Sequence, residues 1–195
     1  MRNSWLLWAL VLASVNLSHA DEVIWSEDFE AGYGDWAIDQ GVWQVGTPKS
    51  GPGKAYQGTN LAATILNGNY PSYTDSKFIS PTISLPSIGN IDQRLILSFW
   101  HWHSYNSYAL GEVLVSVREG VNWGEWIKIS TSFQGNSGVW YPTSIDLTEY
   151  QNKRIRLAFH HYSQHDYLAP GWYLDDMRIT LKKIIFNYSV DFESG

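Results

Sequence analysis

Leu95-Ile96-Leu97-Ser98-Phe99-Trp100-His101-Trp102-His103 is the stretch that decides the fold. Leu95, Leu97, Phe99 and His101 alternate with Ile96, Ser98, Trp100 and Trp102, which is the two-residue period of a long strand with two well-filled faces. The same period returns at Glu112–Val117, at Arg154–His161 and at Trp172–Leu181, where Tyr173, Met177, Ile179 and Leu181 read as one face. Shorter strands are expected around Val23–Phe29, Val42–Val45, Thr82–Leu85 and Trp126–Ser130. Between the runs lie turn-forming clusters at Thr47–Gly53, Asn67–Asn69, Pro86–Asn90 and Gln134–Gly138. No amphipathic helix of ten residues is legible; a single helical turn is expected at Leu147–Gln151, with Asp146 able to cap it. Many short strands punctuated by Gly and Pro predict an all-β chain folded as a two-sheet antiparallel sandwich.

The first twenty residues read as an export signal. Arg2 supplies the positive start, Trp5–Val15 the apolar run, and Ser18-His19-Ala20 the small-residue cleavage site. The mature chain is therefore expected outside the cell, secreted or at the surface, with no membrane insertion after cleavage. Its formal net charge of −6 becomes −7 once Arg2 leaves, which disfavours nucleic acid and anionic membranes as partners. Cysteine is absent, so stability rests on core burial, for which nine Trp beyond the leader, all twelve Tyr and all seven Phe supply the apolar area.

Asp28-Phe29-Glu30-Ala31-Gly32 returns at the end as Asp191-Phe192-Glu193-Ser194-Gly195, a domain-sized spacing. The expected organisation is a leader over 1–20, one module over 21–183, and a junction with the start of a second module over 184–195.

Asp175-Asp176 follows Gly171-Trp172-Tyr173-Leu174 in the last strong strand, where at most one of the two can share the apolar face. A carboxylate there needs a partner, because an unpaired buried charge is costly. The options are Arg94, Arg154 or Arg156 in a salt-bridge network, a Ca²⁺ ion taking carboxylate and carbonyl oxygens, or a second carboxylate in a catalytic pair. First and last strands of a sandwich often lie side by side, which would bring Asp28 or Glu30 near Asp175. The polar loop Gln57-Gly58-Thr59-Asn60 could then add oxygens.

His101 and His103 share a strand face and, with one of His160, His161 or His165, could bind Zn²⁺; core packing is the other reading. No Gly-x-Ser-x-Gly elbow, cysteine nucleophile or phosphate-binding glycine loop is present. Ser116–Trp123 has the spacing of an Asp-box hairpin, but Arg118 stands where the Asp belongs, so it reads as structure.

Taken in order, Asp28-Phe29-Glu30, Gly34-Asp35-Trp36, Trp43-Gln44-Val45-Gly46, Ser50-Gly51-Pro52-Gly53, Gly58-Thr59-Asn60-Leu61, Ser80–Leu85, Leu97–Trp102, Ile145–Tyr150 and Gly171–Met177 resemble the MAM-like jelly-roll modules of bacterial exported proteins. These include the choice-of-anchor J, cleaved-adhesin and immune-inhibitor-A C-terminal domains. The resemblance covers about Val23 to Leu181. It implies a concanavalin-like jelly roll, neighbouring domains in a longer chain, and Ca²⁺ held by Glu30 and Asp175 with Asp28, Asn60 and Asp176.

The function expected is that of a non-catalytic, calcium-stabilised adhesion or accessory module that binds an extracellular protein or glycan. Trp100, Trp102, Tyr105 and Tyr108 are the candidate ligand-binding rings, since they cluster in and just after one strand. The alternatives are a carbohydrate-binding module proper, or a glycan hydrolase drawing two carboxylates from Glu112, Glu119, Glu125 and Glu149.

Overall fold

The alternating run becomes the central strand of one sheet. The computed structural model describes residues 21–166 and 168–184; the leader and the second copy of the opener lie outside them. In chain order the strands are β1 (Glu22–Glu27), β2 (Ala37–Asp39), β3 (Gln44–Gly46), β4 (Leu61–Ala63), β5 (Asp75–Ile79), β6 (Ile83–Ser84) and β7 (Gln93–Ser104). They continue as β8 (Ala109–Glu119), β9 (Asn122–Trp123), β10 (Ile127–Lys128), β11 (Tyr141–Asp146), β12 (Arg154–Ser163) and β13 (Gly171–Lys183).

Two antiparallel sheets result, ordered β11-β7-β13-β4-β3 and β10-β8-β12-β5-β2, and β1 pairs with β13, so the first and last strands do lie side by side. The two-sheet antiparallel sandwich expected from the pattern is the fold found, with the jelly-roll form that the resemblance implied. The helical turn is a 3₁₀ turn at Thr148–Tyr150, and the Asp146 carboxylate accepts the Thr148 N–H at 2.8 Å.

Leu95, Leu97 and Phe99 of β7 face Val113 and Val115 of β8 and Ile155, Leu157 and Phe159 of β12, all buried. Trp36 and Trp43 pack on Phe78 with ring centroids 4.3 and 5.3 Å apart, closing the opposite end of the same core. Each such side chain stabilises the fold by about 1.5–3 kcal/mol, which a chain without disulfides needs.

The strands that pattern reading passed over are β2, β4, β5 and β11. Leu61-Ala62-Ala63 is buried at every position, so it carries no alternation. Tyr141–Asp146 opens with a proline at its second position, tolerated because β11 is the edge of its sheet.

One face assignment is corrected. Tyr173 does not share a face with Met177, Ile179 and Leu181, because β13 carries a bulge. Asp175 pairs with Trp100 and Arg178 with Ser98, so three steps on β13 match two on β7, and Asp176 takes a left-handed φ of 46°. The extra residue turns Met177 and Ile179 inward while Tyr173 and Asp175 lie on the outer face.

That outer face is also covered. Residues 47–60 fold over it, and Ala55, Leu61, Ala63, Trp102 and Tyr173 form a second apolar cluster against Leu66 and Trp140.

Candidate functional site

Glu30 and Asp175 hold the same short loop from two sides. The Glu30 Oε1 atom accepts the N–H groups of Thr59 and Asn60, each at 2.8 Å. Asp175 Oδ2 accepts the Gln57 N–H at 3.0 Å, and its Oδ1 accepts the Asp176 N–H at 2.8 Å. Gly58 lies between these attachments with φ 66°, and a Cβ there would overlap the Glu30 carboxyl.

Asp175 is fully buried, and burial pushes its pKa up to about 6 against the backbone N–H bonds that oppose the shift. Among the described residues, its charge is answered by amides and not by Arg94, Arg154 or Arg156. The other expected ligands are engaged elsewhere. Asp28 accepts the Glu30 N–H at 3.1 Å, Asn60 accepts the Thr47 hydroxyl at 3.2 Å, and Asp176 takes the Arg178 guanidinium at 2.7 Å. Among the described residues no three His, Asp or Glu side chains are arranged so that they could together hold a metal ion. The donors that fit Ca²⁺ thus reduce to the hard carboxylate oxygens of Glu30 and Asp175, with the buried Asp175, which meets amides but no cationic side chain among the described residues, as the feature in its favour.

The ring candidates separate. Trp102 is in the second apolar cluster, edge-on to Tyr173 at 5.5 Å, and Tyr105 lies between the sheets with its hydroxyl 3.1 Å from His161 Nδ1. Both are buried, so neither offers a face to a ligand. Trp100 is partly exposed but stacked under Tyr56, centroids 3.8 Å apart at 12°. Tyr108 is exposed, beside His165 at 4.3 Å.

The histidines of the first sheet are structural. His101 Nδ1 accepts the Trp172 indole N–H at 3.0 Å while Nε2 meets the Thr143 hydroxyl at 2.8 Å, leaving no nitrogen for zinc. Burial lowers the pKa of His101 and of His161 to about 3 and lowers that of His103. The hairpin at Ser116–Trp123 is likewise a fold device. Ser116 donates to the Gly124 carbonyl at 2.7 Å, and the Arg156 guanidinium lies 4.0 Å above Trp123 and 5.3 Å from Trp126.

What the pattern did not disclose is a polar row across the outer face of the second sheet. Asp39 of β2, Lys77 of β5, His160 of β12 and Glu112 of β8 are register neighbours on four adjacent strands. Lys77 lies 3.7 Å from Asp39, His160 Nε2 is 2.8 Å from Asp75, and His160 Nδ1 is 3.9 Å from Glu112. Desolvation acts to raise Glu112, but the bonds from Lys128 and Ser132 outweigh it and hold the carboxyl below its usual range. Two carboxylates therefore share an open face, yet His160 fills the space between them and Glu112 stays ionised. A glycosidase pair needs one protonated carboxyl with room for the bond being cut; here Glu112 cannot serve as that acid and His160 occupies the room. The remaining acids considered for that role, Glu119, Glu125 and Glu149, are exposed on the hairpin, the loop after it and the 3₁₀ turn.

The fold and these surfaces define the molecule as a jelly-roll β-sandwich with structural histidines, a clasped loop and one open polar sheet face. No protein-family profile matches the chain. It is 29% identical over 161 residues to bacillopeptidase F of Bacillus subtilis (strain 168), an alignment covering 81% of this chain and 11% of that protein. The chain thus spans about a ninth of the length of the curated relative it matches. Among solved structures, the CBM22-1–GH10 modules of xylanase 10B from Clostridium thermocellum, complexed with xylohexaose, superpose with a TM-score of 0.55 at 14% identity, covering 88% of this chain and 30% of that one. The CBM22-1 xylan-binding domain of Xyn10C from Paenibacillus barcinonensis superposes with a TM-score of 0.51 at 18% identity, covering 85% and 98%. At such identities the likeness is one of fold.

Proposed function

We propose that this chain is a non-catalytic binding module of an exported multidomain protein, stabilised by Ca²⁺ and recognising an extracellular glycan or protein surface. The observation that carries the reading is the outer face of the second sheet. There the charged groups pair with one another across adjacent strands, which leaves a continuous polar surface suited to holding a partner. The superposition on a xylan-binding domain and the alignment within a much longer relative support it. The Ca²⁺ part rests on the clasp, where Glu30 and the buried Asp175 would supply carboxylate oxygens. The MAM-like resemblance accords with all three parts. A glycan array probed with residues 21–183 tests the reading, alongside a binding screen against extracellular matrix proteins. Retention on neither surface would overturn it.

A further inference from the structure

Beyond the polar row, the end of the second sheet opens into a cleft of about 410 Å³ walled by Tyr73, Asp75, Tyr162, Gln164 and His165 over the buried Thr74 and Ser163. Its most unusual member is Tyr73. The side chain is 70% exposed, yet the backbone sits at φ 53°, a left-handed conformation that is strained for a bulky residue. Core packing does not offset that strain, because the ring is outside.

The position is nevertheless held firmly. Thr74 N–H donates to Ser163 Oγ at 3.2 Å, and Ser163 N–H donates to the Thr74 carbonyl at 2.8 Å. The Thr74 and Ser163 hydroxyls both donate to the Pro71 carbonyl, at 2.7 and 3.3 Å. A buried clamp therefore holds, in a strained conformation, the backbone that carries an exposed ring, as a preorganised binding surface requires.

The surroundings specify the ligand's chemistry. His165 lies between Tyr73 and Tyr108, 6.5 and 4.3 Å from their rings, giving a row of aromatic faces along the rim. Gln164 donates its side-chain amide to the Tyr162 hydroxyl, fixing both groups, and its own N–H holds the Tyr108 carbonyl at 3.1 Å. Asp75 is oriented by His160 through Oδ1, leaving its second oxygen as an acceptor. Among the described residues no Lys or Arg lines the cleft, and the nearby Lys77 is already paired with Asp75 at 3.8 Å and Asp39 at 3.7 Å, so an anionic ligand would compete with those carboxylates for it. Flat rings beside hydroxyl, amide and carboxylate groups match a molecule with an apolar C–H face and a hydroxyl rim.

We propose that this cleft is the binding site for a short neutral oligosaccharide, with one sugar ring packed on Tyr73 and its hydroxyls bonded to Gln164, Tyr162 and Asp75. The volume suits roughly one or two hexose units. The proposal rests on the binding-module reading and locates its glycan site away from Trp100.

The test is calorimetric titration of the full chain with xylohexaose, cellohexaose and a β-1,4-galactan oligomer, followed by amide NMR shifts with whichever binds. Tyr73→Asn, whose replacement tolerates the left-handed backbone, and Gln164→Ala should each weaken binding tenfold or more. Tyr56→Ala, in the loop that covers the other sheet, should leave it unchanged. Shifts in the unmutated chain should concentrate at residues 73–75 and 162–165, a readout independent of whether a variant folds. Binding with shifts elsewhere and unaffected variants would overturn the cleft while leaving the module reading intact. Binding of sulfated or uronic glycans alone would overturn the neutral-sugar assignment. A chain that retains no glycan at all removes the cleft proposal together with the glycan half of the module reading.

Discussion

Glu30 and Asp175, from opposite ends of the chain, grip one loop: Glu30 through the N–H groups of Thr59 and Asn60, Asp175 through that of Gln57. The grip closes residues 47–60 over Trp102 and Tyr173 and so completes the second apolar cluster. It also places a fully buried carboxylate where, among the described residues, no cationic side chain meets it, and that makes stability at this point sensitive to protons and cations.

The first prediction concerns calcium and pH. The folded pKa of Asp175 is raised from 3.8 to about 6, so its protonated form favours the fold. That contribution is complete below about pH 4 and lost as pH rises through 6, unless a cation replaces the proton. Thermal melts should show EDTA lowering Tm by several degrees at pH 7.5 in Ca²⁺-containing buffer, with a much smaller effect at pH 5. Equal melting curves with and without EDTA at pH 7.5 would remove calcium from the account.

Asp175→Asn removes the buried charge while keeping an oxygen for the Gln57 N–H. The variant should lose its response to Ca²⁺ and EDTA while remaining folded in either buffer. Glu30→Gln should weaken the response in the same direction. A variant that keeps the full Ca²⁺ shift clears the substituted residue as a ligand.

Gly58→Ala should be disruptive far beyond its size. The new Cβ meets the Glu30 carboxyl and the backbone holds φ 66°, so we expect a loss of at least about 1–2 kcal/mol in urea unfolding. Gly53→Ala, also at positive φ but with open space around it, should cost less. Equal losses would show that conformation alone, and not the clasp, sets the penalty.

Acid should destabilise the core through the buried histidines. His101 and His161 have folded pKa values lowered to about 3, against 6.5 when unfolded. The unfolded chain then binds more protons between those values, so stability falls as pH drops below 6.5. Each histidine contributes a slope of up to about 1.4 kcal/mol per pH unit. Urea unfolding at pH 4 to 7 should show this fall, and His161→Phe should flatten it by roughly one histidine's share. An unchanged slope in that variant would show that His161 titrates normally in the fold.

Much of the architecture was readable because β7, β8 and β12 keep strict alternation, and a two-residue period can only mean a strand with distinct faces. The clasp was half readable: the pairing of first and last strands carried Glu30 and Asp175 toward the same loop. The bulge at Asp176 was not readable. A single left-handed residue leaves no mark on composition, yet it moved Tyr173 and Asp175 to the outer face. The ring cluster failed for a related reason. Trp100 and Trp102 alternate away from the core, which looks like exposure, but the folded-over residues 47–60 bury Trp102 and set Tyr56 on Trp100.

By itself, the order of residues determined the all-β class, the central strands, the hairpin turns and the approach of the chain's two ends, because all of these follow from local periodicity and turn chemistry. Only the tertiary structure decided which outward-pointing groups meet solvent. Tyr73 is held outside while Trp102 lies inside, and Asp75, His160 and Glu112 join in one row across three strands. Exposure and lateral neighbours depend on which distant segments cover a face and in what register, and neither is encoded within any single run of residues.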